Sequence, residues 1–312
     1  MDTLVTVMPL GEALLLGPLS HISLELSGIN GMISLNGDNI FFSVASYAIA
    51  FAFVFTFGAC IGSFLNVVVY RIPAGISLIH PPSRCPQCMH SLKATENVPV
   101  LGWLWLRGRC RWCKTKISSR YPLVEAATGI IFTLVFWRFG YSLETIGYWA
   151  FLSWLLSLSL IDLDTMTLPA SLTKSGLVLG LVFQGIWGWQ LGQGQGIANQ
   201  LMFGIGGALM GIWLLEIIAL LGSIMLGQQA MGDADGKLMA TIGAWIGWKC
   251  VLVSSFVACG LGAIVGGGAI ALGILGKKQP MPFGPFLALG GAVSLFFGDA
   301  VVNAYLSTFF NF

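Results

Sequence analysis

A series of long apolar runs constrains this chain more than any other feature of its sequence. A helix needs roughly 17 to 25 mostly apolar residues to cross a bilayer, and seven runs have that length while an eighth, at 238–248, is short. The runs are 44–70, 122–140, 145–161, 175–191, 201–226, 238–248, 250–276 and 284–308. Only 9% of the residues are charged, against about 25% in a soluble protein. The sequence therefore excludes a soluble fold and predicts an all-α polytopic membrane protein with about eight transmembrane helices.

The basic residues predict the orientation of these helices. Nine of the fifteen Lys and Arg residues lie in the fifty residues from Arg71 to Arg120, and residues 1–70 contain none. Because Lys and Arg are enriched in cytoplasmic loops, we expect this segment in the cytoplasm. Counting crossings from it places the acidic residues near 162 and 235 on the same side. Residues 1–40 lack the basic start of a signal peptide, and we assign them no role.

Four of the seven cysteines have the spacing of a zinc site. The pairs Cys85 and Cys88, and Cys110 and Cys113, each enclose two residues and are separated by 21 residues. Two such knuckles supply the four thiolates of a tetrahedral Zn²⁺ site. Disulfides or a redox pair are the alternatives, but a reducing cytoplasm disfavours stable disulfides. Since four cysteines fill the coordination shell, the predicted zinc is structural.

Acidic residues follow the ends of two separate apolar runs, and the predicted orientation places both sets at the same face of the membrane. Asp162 and Asp164 end the run 145–161, and Asp233 and Asp235 follow the run 201–226. Two facing carboxylates that share a proton can activate water for peptide hydrolysis, as in aspartic proteases. Paired intramembrane acids also bind protons or cations in transporters, and acids at helix ends are often simply hydrated. Judged from these residues alone, an aspartyl hydrolase and an ion transporter are almost equally well supported.

Further motifs occur in a fixed order along residues 58–295. They are GSFLNVVVYRIP at 62–73, ENVPV at 96–100, RGRC at 107–110, ISSRYPLVE at 117–125 and PFGPFLA at 282–288. Together with the cysteine and aspartate patterns, this order resembles the prepilin peptidases. That family comprises the bifunctional leader peptidases and N-methyltransferases of type IV pilus and type II secretion systems.

The resemblance implies an eight-span aspartyl protease of the bacterial inner membrane that cleaves type IV prepilins or pseudopilins at the cytoplasmic membrane surface. Its first catalytic acid precedes a Leu-Pro pair and corresponds to Asp162, seven residues before Pro169. The second ends a Gly-x-Gly-Asp motif followed by Lys, which makes Asp235 the counterpart and Lys237 the lysine. We expect Asp164, Asp233 and Lys237 to line the substrate cleft, where the acids would favour a basic leader.

The resemblance also implies methylation of the new N-terminus with S-adenosylmethionine as donor. Glu96 is our candidate for that chemistry because it is the only acid between Asp38 and Glu125. Its alternative role is that of an ionic partner for nearby arginines. The expected partners are the prepilin substrates and the lipid bilayer, and no nucleic acid.

The sequence departs from the family pattern at several positions. Ala234 replaces the second glycine of the Gly-x-Gly-Asp motif, Ala230 replaces an upstream glycine, and Ala170 follows Leu-Pro where Asp or Asn is common. Glu216 lies well inside an apolar run, and we expect it to be a buried, neutral or hydrogen-bonded acid. The predicted domains are an N-terminal segment (1–40), a first transmembrane helix (41–71), a four-cysteine zinc domain (72–121) and an aspartyl protease core (122–312).

Overall fold

A computed structural model describes residues 37–227, 231–274, 276 and 281–309 of the chain. Nearly all of the segment 1–40, to which the sequence assigned no role, and Ala230 lie outside the described residues. Across the described ranges the secondary structure is helical, with only two isolated β-bridges. The helices are α1 (Gly37–Arg71), a 3-10 turn (Ala94–Glu96), α2 (Leu101–Trp105), α3 (Arg120–Phe139), α4 (Leu143–Thr165), α5 (Ala170–Leu226), α6 (Asp233–Ala271) and α7 (Gly284–Phe309).

Six of these helices contain segments long and apolar enough to cross a membrane, and α5 contains a reversal of chain direction. A Cβ atom at Gly188 would lie 2.5 Å from the carbonyl oxygen of Gly196. Residues eight apart in a straight helix are separated by about 12 Å, so the chain folds back between them, close to Gly192. Helix α5 therefore consists of two antiparallel arms, 170–191 and 193–226.

Helix α6 folds back in the same way at Gly247, whose φ of 73° is outside the helical region. Ile242 and Ser254 contact neighbouring residues of α7, Gly291 and Gly290, although a straight helix would separate them by about 18 Å. Glycine is required at the turn because a Cβ atom at Gly247 would overlap the ring of Phe203. Helix α6 thus contributes a short arm (233–246) and a long arm (248–271).

With both reversals included, the described chain makes eight apolar passes, which confirms the predicted number. The short run 238–248 corresponds to the short arm of α6. That arm of 14 residues is about 21 Å long, whereas the hydrocarbon core of a bilayer is about 30 Å thick. At least one end of the short arm therefore lies within the thickness of the membrane, and Asp235 is at one of these ends.

The short arm of α6 lies at the centre of the main apolar core. Leu238, Met239 and Ile242 are fully buried there, together with Phe151 and Leu158 of α4. Such packing between helices replaces the hydrophobic driving force that is absent in lipid. The core therefore fixes the short arm, and the first turn that carries Asp235, relative to α4.

Three hydrogen bonds also join the short arm to the first arm of α5. The Thr241 hydroxyl donates to the carbonyl of Thr173 at 3.1 Å, and the Trp245 indole donates to the carbonyl of Gly176 at 2.8 Å. The buried amide of Gln184 donates to the carbonyl of Trp245 at 2.8 Å. This carbonyl is next to the Gly247 turn, where the regular series of helical N–H donors is interrupted, so Gln184 satisfies an acceptor that the turn leaves available.

Candidate active site and metal centre

Two predicted catalytic residues, Asp162 and Asp235, meet at one end of the helix bundle. Asp162 lies in the last turn of α4 and Asp235 in the first turn of α6. Their exposed fractions are only 5% and 8%, and their carboxylates are close enough for the charges to interact. Within the described parts of the chain, neither forms an ion pair with a basic side chain.

Each carboxylate accepts a hydrogen bond from the backbone of a glycine. The N–H of Gly284 donates to Oδ2 of Asp162 at 2.9 Å, and the N–H of Gly232 donates to Oδ2 of Asp235 at 3.3 Å. A Cβ atom at Gly284 would lie 2.7 Å from the same Asp162 oxygen, whereas one at Gly232 would lie 3.8 Å from Asp235. Of these two positions, only 284 has to be glycine for the contact with its carboxylate to form.

The sequence analysis identified the motif at 282–288 but did not assign a function to Gly284. Asp162 and Gly284 are separated by 122 residues, so their local sequences contain no signal for this contact. The contact depends on α7 beginning beside the end of α4. Gly284 is therefore a site residue that sequence reasoning missed.

This arrangement suits acid and base chemistry on water. Two interacting carboxylates in a buried site are most stable when they share one proton, because two adjacent negative charges repel each other. The protonated group can then donate to a carbonyl oxygen while the ionised group removes a proton from water. The two glycine N–H groups hold Oδ2 of each carboxylate, and Oδ1 of each has no hydrogen bond among the described residues.

The residues predicted to line the cleft have different environments. Asp164 forms an ion pair with Arg120 at 2.6 Å, and both side chains are about two-fifths exposed. Asp233 and Lys237 are also exposed, on the first turns of α6, and have no ion pair in the described structure. The charge of Asp164 is thus largely compensated, and Asp233 is the better source of an acidic field.

The four predicted zinc ligands come together in the segment between α1 and α3. The sulfur atoms of Cys85, Cys88, Cys110 and Cys113 all lie within 4.8 Å of one another. The closest pairs, Cys85 with Cys113 and Cys88 with Cys110, are 3.7 and 3.9 Å apart. A tetrahedral zinc with Zn–S bonds of about 2.3 Å has sulfur atoms separated by about 3.8 Å. The cluster therefore fits a zinc ion, with each pair of close contacts joining the two knuckles.

The surroundings of the cluster favour the thiolate form, which a metal requires, at two of the four cysteines. At Cys88 a backbone hydrogen bond from His90 lowers the pKa, but desolvation and the other three cysteines raise it to about 11. The hydroxyl and backbone N–H of Thr115 lower the pKa of Cys113 to about 6. Backbone N–H groups of Cys88 and Gln87 likewise lower the pKa of Cys85. Two of the ligands are thereby prepared for metal binding near neutral pH.

Glu96 is held by the cysteine segment itself. Its side chain is 4% exposed, its Oε1 lies 3.5 Å from Nη1 of Arg111, and its Oε2 accepts a hydrogen bond from the N–H of Lys93 at 3.1 Å. These contacts support the alternative role of an arginine partner. A function in methyl transfer stays a prediction.

Two contacts connect the cysteine segment to the membrane helices. The buried carboxylate of Glu125, in α3, accepts a hydrogen bond from the N–H of Val100 at 2.7 Å. At the start of the segment, the buried Arg71 donates to the carbonyls of Ser77 at 2.9 Å and Pro81 at 2.6 Å. The sequence analysis did not identify either role, because both depend on where the segment folds relative to the bundle.

One expectation is wrong. Glu216, which we expected to be a buried, neutral or hydrogen-bonded acid, is not buried: it is exposed on the surface of the second arm of α5. Its neighbours Trp213 and Ile217 are exposed as well. This side of the second arm of α5 lies on the outside of the bundle. Apolar neighbours in the sequence therefore did not imply that Glu216 is buried inside the protein.

Comparisons with known proteins agree with this architecture. Residues 56–139 match the Bacterial Peptidase A24 N-terminal domain, and residues 149–267 match the Type IV leader peptidase family. The first match contains the four cysteines, and the second contains both Asp162 and Asp235. No solved structure matches the chain.

Curated relatives align along most of the chain. A prepilin leader peptidase/N-methyltransferase from Stutzerimonas stutzeri is 36% identical over 288 residues, covering 84% of this chain and 96% of the relative. A protein of the same name from Burkholderia pseudomallei (strain 1026b) is 37% identical and covers 88% of this chain and 94% of the relative. A third, from Pseudomonas putida, is 37% identical over 78% of this chain and 89% of the relative. The chain therefore belongs to the type IV leader peptidase family, as its motifs, membrane helices and paired acids all indicate.

Proposed function

We propose that this protein cleaves the leader peptide of type IV prepilins or pseudopilins with Asp162 and Asp235. The observation that carries the proposal is the meeting of these two buried acids from separate helices at one end of the bundle. Membership of a leader peptidase family supports it independently.

In the proposed mechanism, the scissile bond lies between the two carboxylates. The ionised aspartate removes a proton from water, whose oxygen attacks the carbonyl carbon, and the protonated aspartate donates its proton to the carbonyl oxygen. When the tetrahedral intermediate collapses, the C–N bond breaks and the leaving amine receives a proton from the site. Gly284 and Gly232 orient the carboxylates through the hydrogen bonds to their Oδ2 atoms.

We place the acids at the cytoplasmic surface of the bacterial inner membrane. The basic segment between α1 and α3 supports this orientation, since positive residues are retained in the cytoplasm. Arg120, at the start of α3, pairs with Asp164 two residues after Asp162, so this segment and the acids share one side. A substrate with an apolar helix in the bilayer and a short basic leader in the cytoplasm would present its junction at that depth.

We further propose that the new N-terminus is methylated with S-adenosylmethionine, on the basis of the relatives' names. The cysteine segment is our candidate for this activity, with Glu96 as the candidate functional acid. Zinc bound by the four cysteines would hold the segment together and take no part in the chemistry, because no coordination position remains open.

A co-expression experiment tests the cleavage proposal. A prepilin is produced with the wild type, Asp162→Asn, Asp235→Asn or Asp164→Asn, and its intact mass is measured. We expect leader loss with the wild type, a decrease of more than about 1,000-fold for Asp162→Asn and Asp235→Asn because each removes a reacting group, and cleavage with Asp164→Asn. The last variant is a matched control, since it makes the same change in an exposed residue on the same helix.

The same assay separates the alternatives. Full leader removal by Asp162→Asn and Asp235→Asn would disprove the two-aspartate mechanism. A substrate of unchanged mass in every sample, with proton or cation flux in vesicles, would indicate the transporter class. Methylation is read as the mass of an added methyl group, and retained methylation in Glu96→Gln would exclude Glu96 from that reaction.

A further inference from the structure

The cysteine segment contains a basic cleft to which the proposed cleavage and methylation assign no function. The cleft has a volume of about 420 Å³ and lies beside one pair of cysteines. Its lining residues are Leu106, Arg107, Arg109, Cys110, Arg111 and Lys114. Arg111 is paired with Glu96, whereas Arg107, Arg109 and Lys114 have no ion pair in the described structure. Three exposed positive charges are thus available to an anion.

Comparison of the two knuckles shows that their shared backbone geometry does not require this charge. Cys85 and Cys110 occupy equivalent positions, with N–H groups bonded five residues ahead at 3.0 and 2.9 Å. Met89 and Lys114 also correspond, with φ values of 58° and 59°. Each knuckle is also closed by one antiparallel β-bridge at the equivalent place, between Arg84 and Ser91 in the first and between Arg109 and Lys116 in the second.

The charges differ although the backbones match. From 83 to 91 the first knuckle has one basic side chain, whereas from 108 to 116 the second has four. Pro86 and Met89 of the first knuckle correspond to Arg111 and Lys114 of the second. Both knuckles present their cysteines to one cluster, and three of the four basic side chains of the second, Arg109, Arg111 and Lys114, line the cleft.

The wall of the cleft continues into an exposed apolar surface. Helix α2 immediately precedes the cleft residues, and its Leu101 and Trp105 side chains are 62% and 87% exposed. The Glu125 carboxylate holds Val100, directly before α2, against α3. Glu125 is only five residues into α3, about 8 Å along a helix that can cross the membrane. Helix α2 therefore lies close to the bilayer surface.

We propose that the cleft and the exposed side of α2 bind the headgroup of an anionic phospholipid from the same membrane. Arg107, Arg109 and Lys114 contact the phosphate oxygens, for which guanidinium groups have complementary geometry. Trp105 lies at the level between headgroups and acyl chains, where tryptophan is enriched. Basic residues beside an apolar surface are the combination that binds anionic membranes.

Native mass spectrometry of the full-length protein, extracted with defined lipids, tests this assignment. The probes are phosphatidylglycerol and phosphatidylcholine with matched acyl chains. The variant Arg107→Gln/Arg109→Gln is compared with the control Arg84→Gln/Lys93→Gln, which removes the same charge from the same segment. We expect phosphatidylglycerol retention to fall about tenfold or more in the first variant, and less than about twofold in the control, with zinc content unchanged in both.

Two additional measurements distinguish a lipid from free phosphate. Trp105→Ser should weaken phosphatidylglycerol retention several-fold, and excess inorganic phosphate should leave the lipid bound. Displacement by phosphate together with no effect of Trp105→Ser would identify a free-phosphate site and overturn the lipid assignment. Equal retention of both lipids, unchanged retention in Arg107→Gln/Arg109→Gln, or loss of zinc from that variant would also overturn it.

Discussion

The aspartate site and the cysteine segment are stabilised in opposite ways. Asp162 and Asp235 lie beside residues that are fully buried in the main core, including Ile161 and Leu238. From residue 72 to 119, by contrast, the buried residues are Cys85, Gly102, Gly108 and Cys110. Two of these are predicted zinc ligands and two are glycines, so the segment has no apolar core of its own.

The difference indicates that the two candidate centres of this protein are kept in place by different interactions. Packing positions the carboxylates, whereas we expect a bound metal to position the cysteine segment because few of its residues are buried. The contact between Glu125 and Val100 connects the cysteine segment to the helix bundle that carries the acids. Perturbations of one centre should therefore be separable from effects on the other.

Zinc removal should give the largest effect and should be confined to the cysteine segment. Structural zinc contributes apparent binding energies of about 10 to 16 kcal/mol in small domains. We expect a chelator, or Cys85→Ser with Cys110→Ser, to raise amide exchange across residues 82–117 by orders of magnitude. Exchange in the buried turns of α4 and α6 is the internal control. Protection lost equally in both regions would show that the centres are coupled.

The reverse perturbation is Gly284→Ala, which should affect the aspartate site alone. The new Cβ atom would lie 2.7 Å from Oδ2 of Asp162 and displace the carboxylate. A misplacement of about 1 Å can lower a rate about 100-fold, and we expect a decrease of that order in leader cleavage.

The matched control is Gly232→Ala, where the Cβ atom would lie 3.8 Å from Asp235. We expect its cleavage rate to stay within about threefold of wild type, since the contact is an ordinary one and a single methyl group changes little where there is room. Similar rates for the two alanine variants would contradict the assigned role of Gly284. Zinc content should be normal in both proteins.

One connection between the cysteine segment and the helix bundle can be broken with Glu125→Ala. This change removes the acceptor for the Val100 N–H, and a hydrogen bond to a charged group is worth about 1.5 to 3 kcal/mol. We expect faster amide exchange at residues 98–106 with little change in cleavage. Glu125→Gln retains an acceptor oxygen and should behave like wild type. Reduced cleavage in the alanine variant would show that the segment also positions the acids.

The smallest effect is expected for the exposed acids beside the site. Replacing Asp164 and Asp233 with Asn should weaken the binding of a basic leader a few-fold, as is typical of exposed charges, while slow cleavage continues. Asp233→Asn should account for most of the change because Asp164 is already paired with Arg120. Measurements of KM and kcat at low and high salt check this, and identical kinetics in all variants would exclude an acidic field.

Much of this architecture was predictable because lipid imposes simple rules on sequence. Apolar length identified the crossings, including the short one, and paired cysteine spacing identified the cluster that fits zinc. At Gly192 and Gly247 the sequence predicted only a boundary between two apolar runs, and it did not show that the chain reverses direction at these glycines. Exposure of Glu216 could not be predicted, because a helix in lipid has an apolar surface on both its buried and its outward sides.

The sequence by itself determined the membrane class, the cysteine cluster and the acids that could react, since these depend on composition and short spacing. The tertiary structure decided that Asp162 and Asp235 meet, that Gly284 binds one of them and that Arg111 pairs with Glu96. It also revealed the equivalence of the two knuckles and the basic cleft beside the second. Those features depend on contacts between distant residues, which form only when the whole bundle packs.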